Sequence, residues 1–464
     1  MTSDVPALKR IYMGTFEAEA YWKDPNTASL PALPDRSGAA IVSAMDELLF
    51  CFCGQGDVLL TRYAMSPVHW QYISGFGFRP AVNEHDLSRD ETAVPGSSAS
   101  VFELLCRHRE DGVPGLPELQ DCLLTPFACL PYTEEAAKAW GIRLHQPSLE
   151  TVRKVNAKTY SSMLKKHFGL SNPGQIVTNA DELEQEGRKL LIEGTFLVKD
   201  DFGVSGKGNL HITSLQMLER IVAYLGQQEL KGKRVCFILE PFLEKEQDFS
   251  CQFVVSEAGE VEIVSVQLLA NSSFSYRESL LPDPGFMEML EEKGYFSLMK
   301  AIGRQLWADG YFGDVCVDSM TLRDGSLEEI VEINARRSMS LIKHQLDLLL
   351  AERSLLGSMT NYTLSHQGTL PYEALLDKLE QAKLLFTDSR EEGVMPLSAN
   401  TLYVNTGGRD APNPANDVNR DAHTGRKGKG RLYLAMIAEN QDRKAQLTER
   451  LERFFADNRF AVLN

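Results

Sequence analysis

The sequence predicts an α/β protein, with antiparallel pairs of strands that add α+β character. Short apolar segments rich in β-branched residues alternate with segments of helical period. Two pairs of strand-like segments turn back at Ala258-Gly259 and at Asp324-Gly325, which are typical hairpin turns. A glycine-rich segment, residues 203–208, directly follows a short strand-like segment at 196–199. These three observations define the fold class.

Composition bounds the size and the class of the protein. The chain has 464 residues, enough for two or three domains, and 43% of them are hydrophobic, as in globular proteins. A net charge of −16 argues against general affinity for nucleic acid or for anionic membranes. No apolar run reaches the roughly 18 to 20 residues of a membrane helix, and no basic segment leads into an apolar one at the start. The eight cysteines contain no CxxC spacing. We therefore expect a soluble, reduced, cytoplasmic protein.

Residues 1–148 predict a small N-terminal α/β domain. Strands are expected at 39–42, 58–61 and 122–126, and helices at 101–109 and 134–140. A hinge is expected before residue 149, because Pro147 disfavours helix at the preceding residue and Ser148 can cap the next helix.

Residues 149–345 predict a denser second domain. The expected helices are 148–167, 181–191, 215–225 and 296–309. The expected strands are 196–199, 210–212 and 234–240, followed by the hairpins 249–256 with 260–269 and 314–322 with 328–334.

Residues 346–464 predict a C-terminal α+β domain with strands at 400–405 and 431–437 and a final amphipathic helix. Between those strands, residues 406–430 are rich in Gly, Asn, Asp and Pro, as in functional or flexible loops. The end of this loop is basic, at Arg420, Arg426, Lys427, Lys429 and Arg431. It is interpreted as a lid over phosphates, as a docking site for an acidic carrier protein, or as a solvated loop.

The glycine-rich segment suits a nucleotide triphosphate. Lys199 ends its strand and can direct an ammonium group at a phosphate, while the glycines expose backbone N–H groups and can close as a flap. The phosphate-binding loop of P-loop enzymes is excluded because Gly208 follows Lys207 and Asp201 replaces the first glycine. A dinucleotide fingerprint is excluded because its third glycine would fall at His211. A plain hairpin turn with surface lysines remains an alternative.

A nucleoside site is predicted after the next strand. The strand runs into Pro241, so its last backbone groups are free to contact an adenine edge, while Phe242 and Leu243 can cover the base. Asp248, eight residues after Glu240, can accept hydrogen bonds from ribose hydroxyls. The alternative is a strand that leads into an acidic surface loop.

A metal site is predicted on the second hairpin. Glu332, Asn334 and Arg336 alternate along one face of their strand, and the hairpin can bring Asp318 across to meet them. Three hard oxygen donors in the interior of a sheet suit Mg²⁺. The alternative is a structural network in which Arg336 and Arg337 neutralise the acids.

Taken together, these motifs resemble those of ATP-grasp enzymes over about residues 148–344. The resemblance implies an ATP-grasp fold with a preceding α/β domain and a C-terminal extension. It implies phosphate and base contacts from Lys158 and Lys199, and a flap that includes Gly203, Ser205, Gly206 and Gly208. It implies adenine contacts from Glu240 and Leu243 and a ribose contact from Asp248. It also implies two Mg²⁺ ions, or Mn²⁺ in their place, on Asp318, Glu332 and Asn334. The chain departs from the family at residues 337–340, where many members have glycines.

The resemblance implies an ADP-forming carboxylate–amine ligase that makes an acyl phosphate, with Arg336 and Lys199 as catalytic residues. Arg277, Arg337 and Gln267 are the candidates for substrate contacts. Among ATP-grasp enzymes the chain is most similar to pheganomycin-type peptide ligases of antibiotic biosynthesis, with the butirosin-type glutamate–carrier-protein ligase as a second candidate. The expected partner is therefore an amino acid or peptide, or else an acyl-carrier protein that yields a thioester. A non-catalytic ATP-binding protein is a minor alternative. The oligomeric state stays open, with a homodimer as one candidate.

Overall fold

The computed structural model describes residues 8–88, 99–109, 112, 114–204, 207–272, 275–367, 369–406 and 427–463. Within these ranges, no helix combines the length and the apolar character that crossing a membrane requires.

The N-terminal residues form a parallel sheet of four strands in the order β3-β2-β1-β4. Its strands are β1 (Arg10–Met13), β2 (Val58–Leu59), β3 (Ala81–Val82) and β4 (Leu123–Pro126). Around it lie α1 (Ala18–Trp22), α2 (Arg36–Ser43), a 3₁₀ helix (Met45–Phe52), α3 (Pro67–Ser74), α4 (Val101–Arg107) and α5 (Thr133–Trp140). Met13 is paired with Pro126, so β1 and β4 end at the same edge of the sheet. The segments that follow these two strands are therefore neighbours.

One predicted strand in this part is wrong. Residues 39–42 lie inside α2, which begins where the Asp35 carboxylate accepts a hydrogen bond from the Gly38 N–H at 2.8 Å. This N-terminal cap stabilises the helix start, and the helix buries Ile41 against the core. The apolar residues of the segment therefore form a helical face.

A second, antiparallel sheet has four strands in the order β5-β8-β6-β7. These strands are β5 (Gln175–Val177), β6 (Phe196–Val204), β7 (Lys207–Ile212) and β8 (Phe237–Pro241), with the helices α6 (Leu149–Val155), α7 (Lys158–His167), α8 (Ala180–Glu193) and α9 (Leu215–Leu230) nearby. We call it the glycine-segment sheet, because β6 and β7 flank the glycine-rich residues. The helix predicted at 148–167 is interrupted where Asn156 ends α6 and Ala157 is extended.

The largest sheet in the described part of the chain has nine strands, eight of them in the order β13-β12-β9-β10-β11-β14-β16-β15, with β17 paired to β14. The strands are β9 (Lys245–Val255), β10 (Val261–Ser272), β11 (Ser275–Leu280), β12 (Gly313–Leu322), β13 (Leu327–Asn334), β14 (Gly357–His366), β15 (Gly393–Pro396), β16 (Gly428–Ile437) and β17 (Ala461–Val462). Its helices are α10 (Pro284–Glu292), α11 (Tyr295–Ala308), α12 (Met339–Ala351), α13 (Tyr372–Gln381), α14 (Asn400–Tyr403) and α15 (Gln441–Asp457). Pairing of β11 with β14 joins the C-terminal strands to those of the predicted metal hairpin. The predicted domain limits remain a prediction.

Two C-terminal predictions are wrong in detail. Residues 400–403 form α14 instead of a strand, because the buried Glu47 carboxylate accepts hydrogen bonds from the N–H groups of Ala399 and Asn400, both at 2.9 Å. The predicted loop 406–430 is shorter than expected at its end, since β16 already begins at Gly428.

Close packing of α11 on the large sheet generates a stability prediction. A Cβ atom on Gly303 would lie 2.7 Å from both methyl groups of Val261 and 3.2 Å from Phe253. Gly303→Ala should therefore lower the free energy of unfolding by about 1–3 kcal/mol through overpacking. The matched control is Gly226→Ala in α9, where the nearest atom would be Ala180 Cβ at 3.8 Å. The free energy of unfolding of Gly226→Ala should rise by about 0.5–1 kcal/mol, because alanine has a better helix propensity than glycine. Urea unfolding checks both changes, and equal effects of the two would contradict the packing.

Candidate active site

A cavity of about 340 Å³ is lined by residues from all three sheets or their flanking segments. Glu19 of α1 contributes from the N-terminal sheet, Lys199 and Glu240 from the glycine-segment sheet, and Asp318 and Glu332 from the large sheet. The two halves of the predicted site, far apart in sequence, therefore face one space.

Lys199, which is buried, and Glu240, which is partly buried, form an ion pair at the cavity. They lie on neighbouring strands, where Leu197 is paired with Glu240 and Lys199 with Ile238. Burial lowers the pKa of the Lys199 ammonium, but the Glu240 carboxylate outweighs this effect, so the pKa of Lys199 is raised. Burial likewise raises the pKa of Glu240, and the ammonium groups of Lys199 and Lys165 outweigh it, so the pKa of Glu240 is lowered. Both groups are thus charged at neutral pH.

Lys158 links the glycine-rich segment to the large sheet. It is the first residue of α7, and its ammonium group donates to Glu332 Oε1 at 2.6 Å and to the Gly203 carbonyl at 2.8 Å. The start of α7 is held by Asp201, whose Oδ1 accepts hydrogen bonds from the Thr159 N–H at 2.9 Å and hydroxyl at 3.0 Å. An anionic group beside a helix N-terminus is stabilised by the helix dipole and the free N–H groups.

Only part of the predicted flap can be placed. Gly203 lines the cavity. Gly208 has a φ of +102°, which favours glycine, and a Cβ there would approach Gly203 Cα to 3.0 Å. Ser205 and Gly206 lie outside the described residues, so their proposed phosphate contacts stay a prediction.

The predicted nucleoside residues are brought together at the cavity. Glu240, Leu243 and Asp248 all line it, together with Phe242. The Phe242 ring is stacked on His211 with the ring centroids 4.1 Å apart. Asp248 forms an ion pair with Lys245.

A network of buried polar groups next to Glu240 was missed by the sequence analysis. The Lys165 ammonium lies 2.5 Å from Glu328 Oε1 and 3.2 Å from Glu240 Oε1, and it donates to the Asn172 carbonyl at 3.0 Å. Asn172 Nδ2 in turn donates to Glu328 Oε2 at 3.0 Å. Lys165 follows Lys158 by two helical turns, so helical periodicity could have revealed it. The network ties Glu240 to α7 and β13.

The predicted metal residues are brought together by strand register. Asp318 of β12 is directly paired with Glu332 of β13, and Asn334 Nδ2 donates to Asp318 Oδ2 at 3.0 Å. Burial, and then repulsion from the Glu332 carboxylate, raise the pKa of Asp318 to about 7. Among the described residues, no lysine or arginine makes an ion pair with Asp318.

These donors fit a hard divalent cation. The described residues contain no group of three or more His, Cys, Asp or Glu placed to hold a metal ion, so the candidate set is two carboxylates and the Asn334 amide. Mg²⁺ commonly takes one or two carboxylates and completes its shell with substrate phosphates. A cation here would also relieve the repulsion that raises the pKa of Asp318.

Arg336 lies on the same cavity wall but is already bound to protein groups. Its Nε donates to Glu19 Oε1 at 2.9 Å, its Nη2 also contacts that oxygen, and Nη2 donates to Asn334 Oδ1 at 2.9 Å. The Phe127 ring centroid lies 5.5 Å from the guanidinium carbon. Glu19 and Phe127 follow β1 and β4 and were not predicted, since only the fold brings them to Arg336.

The three predicted substrate residues do not line the cavity among the described residues. Arg337 donates to the carbonyls of Thr125 and Pro126 and pairs with Asp314 at 3.0 Å. The other two are also placed elsewhere: Gln267 is buried and donates to Asp347 Oδ2 at 2.9 Å, and Arg277 is exposed. Tyr276, Ser338, Met339 and Ser340, which were not predicted, line the cavity instead.

The basic end of the predicted loop is only partly described. Lys429 and Arg431 lie on β16, where Lys429 Nζ is 3.7 Å from Asp35 and Arg431 donates to the Tyr433 hydroxyl at 3.3 Å. Lys427 is exposed. Arg420 and Arg426 lie outside the described residues, so the lid and the docking site stay predictions.

Comparison with known proteins identifies the fold. No protein-family model and no curated protein sequence matches the chain. Three solved structures are similar over almost their whole length. The biotin carboxylase domain of Hydrogenobacter thermophilus 2-oxoglutarate carboxylase, in complex with MgADP, ADP and bicarbonate, has a TM-score of 0.53 and 12% identity, covering 98% of this chain and 91% of its own. Campylobacter jejuni biotin carboxylase with beta-gamma-ATP has a TM-score of 0.50 and 12% identity over 98% and 92%.

The third is the ADP complex of N5-carboxyaminoimidazole ribonucleotide synthetase, with a TM-score of 0.50, 13% identity and 98% coverage of both chains. At such identities the likeness shows the fold alone. The predicted ATP-grasp fold, with its N-terminal α/β part and its C-terminal extension, is confirmed.

The raised pKa of Asp318 predicts a pH-dependent stability. An unfolded aspartate has a pKa of about 3.9, so the folded protein binds this proton more tightly than the unfolded chain does. Its contribution to stability is present below about pH 4 and is lost as the pH rises through about 7. The free energy of unfolding of the wild type, relative to Asp318→Asn, should fall by up to about 1.4 kcal/mol per pH unit within that window.

Urea unfolding between about pH 5 and about pH 8, without divalent cations, measures this difference. Asp324→Asn is the control, because hydrogen bonds from the Ser326 side chain and backbone lower the pKa of that exposed turn carboxyl. Its difference from the wild type should stay constant over the same range. A constant difference for Asp318→Asn as well would contradict the raised pKa.

Proposed function

We propose that the protein is an ATP-dependent, ADP-forming ligase that activates a carboxylate as an acyl phosphate and transfers the acyl group to an amine. The single observation that carries this proposal is the convergence of Lys199, Asp318, Glu332 and Arg336 on one cavity, with Lys158 bound to Glu332 and Gly203 of its lining. Three cations and two carboxylates are the groups that phosphoryl transfer requires, since its catalysis is almost entirely positioning and charge stabilisation.

In this proposal Lys158 and Lys199 bind the nucleotide phosphates. Each ammonium group is now neutralised by a carboxylate, Glu332 or Glu240, and each would turn to phosphate oxygens when the nucleotide enters. Glu240 and Leu243 would then contact the base, and Asp248 would contact the ribose, since all three residues line the cavity. Residues 203–208 would cover the phosphates and exclude water from the acyl phosphate.

Asp318, Glu332 and Asn334 would hold Mg²⁺ in the same proposal. Bound Mg²⁺ would supply charge neutralisation of the β- and γ-phosphate oxygens. Glu332 connects the two functions, because it is paired with Lys158 and lies opposite Asp318. Arg336 would stabilise the charge that develops on the transferred phosphoryl group.

The carboxylate substrate is proposed to be an amino acid or a short peptide, in a reaction of secondary metabolism like that of the pheganomycin-type ligases. The sequence motifs support this choice. Ser338 and Ser340, which line the cavity, offer hydroxyl groups to such a substrate, and Tyr276 offers an aromatic ring. We propose that the reaction takes place in the cytoplasm.

Hydroxylamine trapping tests the proposed reaction. With ATP, Mg²⁺ and a panel of amino acids and short peptides, the protein should form a hydroxamate and release one ADP for each hydroxamate, because hydroxylamine captures the acyl phosphate. The panel is then repeated with amines, which should give amides. Release of AMP in place of ADP would contradict an acyl phosphate. If the only product is a thioester with a carrier protein, the acyl acceptor is a thiol and not an amine.

Substitution of the hairpin carboxylates tests the metal assignment. Glu332→Gln and Asp318→Asn should each lower hydroxamate formation by at least about 100-fold, since loss of one well-placed charge costs several kcal/mol in the transition state. Glu329→Gln, on the same strand but away from the cavity lining, is the control and should retain activity. Unchanged turnover in Glu332→Gln, at saturating Mg²⁺, would show that this hairpin does not hold the catalytic metal.

A further inference from the structure

Glu19 is brought to the cavity from the N-terminal sheet by the short helix α1. The helix is anchored on both sides. Trp22 Nε1 donates to the Cys129 carbonyl at 2.9 Å, and Lys23 pairs with Asp200 of β6. Glu19 lines the cavity although 317 positions separate it from Arg336.

The Glu19–Arg336 contact is a buried ion pair. The guanidinium Nε and Nη2 both reach Glu19 Oε1, and the side chains are 3% and 11% exposed. Charge-assisted hydrogen bonds of this kind are stronger than neutral ones and specific in geometry. Removal of one partner would leave a buried charge uncompensated.

The remaining groups around Arg336 fix the plane of the guanidinium. Nη2 donates to Asn334 Oδ1 at 2.9 Å, and Nη1 donates to the Arg337 carbonyl at 3.0 Å. The Phe127 ring lies against the guanidinium and is itself stacked on Phe16, with the ring centroids 4.1 Å apart. The guanidinium is therefore contacted along one edge by the Glu19 carboxylate, at Nη1 by the Arg337 carbonyl, and by the Phe127 ring.

We infer that Glu19 is a positioning residue for phosphoryl transfer, which holds the Arg336 guanidinium beside the metal hairpin and apart from its carboxylates. The inference rests on the proposed function. Arg336 interacts electrostatically with Glu332 and with Asp318. Without Glu19, those carboxylates are alternative partners for the guanidinium in the cavity, and an arginine paired with them would occupy the proposed metal site.

The neighbouring arginine provides a matched control. Arg337 is also paired with a carboxylate, Asp314, and also contacts the N-terminal sheet through the carbonyls of Thr125 and Pro126. Unlike Arg336, it does not line the cavity in the described part of the chain. Loss of Asp314 therefore disturbs the same contact between sheets without releasing Arg336.

A double-mutant cycle tests the inference on the full-length protein. The variants are Glu19→Gln, Arg336→Met, both together, and Asp314→Asn. Glu19→Gln should lower kcat for hydroxamate formation by about 10- to 100-fold, with a smaller change in KM for ATP, because the nucleotide still binds but the arginine is misplaced. In the Arg336→Met background, Glu19→Gln should cause no further loss. Asp314→Asn should keep kcat within about twofold of the wild type.

Two results would overturn the inference. One is a wild-type kcat in Glu19→Gln, and the other is a loss that is independent of Arg336, so that the two substitutions multiply. If Glu19→Gln does not fold, Glu19→Asp, which keeps the negative charge, takes its place in the cycle. The double variant with Arg336→Met avoids the destabilisation caused by a buried guanidinium without a carboxylate partner.

A binding measurement separates this inference from the proposed function. Calorimetry gives the ratio of Kd values for ADP and for AMP-PNP in each variant. If the wild type forms no hydroxamate, the proposed function fails, and the ratio decides the inference alone. Non-additive effects of Glu19→Gln and Arg336→Met on that ratio would support it, and additive or absent effects would overturn it.

Discussion

The pairing of β12 with β13 places Asp318 directly opposite Glu332, and the rest of the site depends on this arrangement. Two carboxylates so close in the interior of a sheet repel each other, so nearby cations or protons must compensate them. Glu332 is compensated by Lys158, whereas Asp318 makes no ion pair within the described residues, and burial and the Glu332 carboxylate raise its pKa although Arg336 acts in the opposite direction. A cation bound beside Asp318, which lines the cavity, would therefore be stabilised by the hairpin carboxylates.

The same requirement connects the sheets of the protein. In the described part of the chain, Arg336 and the buried lysines beside the cavity are paired with carboxylates on other elements. Lys158 of α7 is paired with β13, Lys165 of α7 with β8 and β13, and Arg336 with α1. In the proposed function, a nucleotide in the cavity would provide phosphates in place of Glu332 as the partner of Lys158, while Arg336 would keep its contact with Glu19. Ligand binding would then be coupled to the relative placement of the sheets through these ion pairs.

The parts of the site that are local in sequence could be predicted, and the parts that depend on distant contacts could not. Strand alternation and the Asp324-Gly325 turn were enough to predict that Asp318 lies on the strand paired with that of Glu332. Their direct pairing also depends on a register shift between Asp318 and Met320, because the register next to the turn, with Met320 opposite Glu328, would place Asp318 opposite Ile330. Glu19 could not be predicted, since it reaches Arg336 only after the parallel pairing of β1 with β4. Residues 400–405 were assigned to a strand because their helical cap, Glu47, lies more than 350 residues earlier. Gln267 was assigned to the substrate because its buried partner Asp347 lies on another element.

The most direct test of this account is a crystal structure with Mg²⁺ and a non-hydrolysable ATP analogue. We expect the nucleotide in this cavity, with the Lys158 ammonium moved from Glu332 to a phosphate oxygen and a metal ion bound by Asp318 and Glu332. Arg336 should remain in contact with Glu19. A nucleotide bound elsewhere, or a nucleotide in the cavity with the Lys158–Glu332 pair intact and no metal at the hairpin, would contradict it.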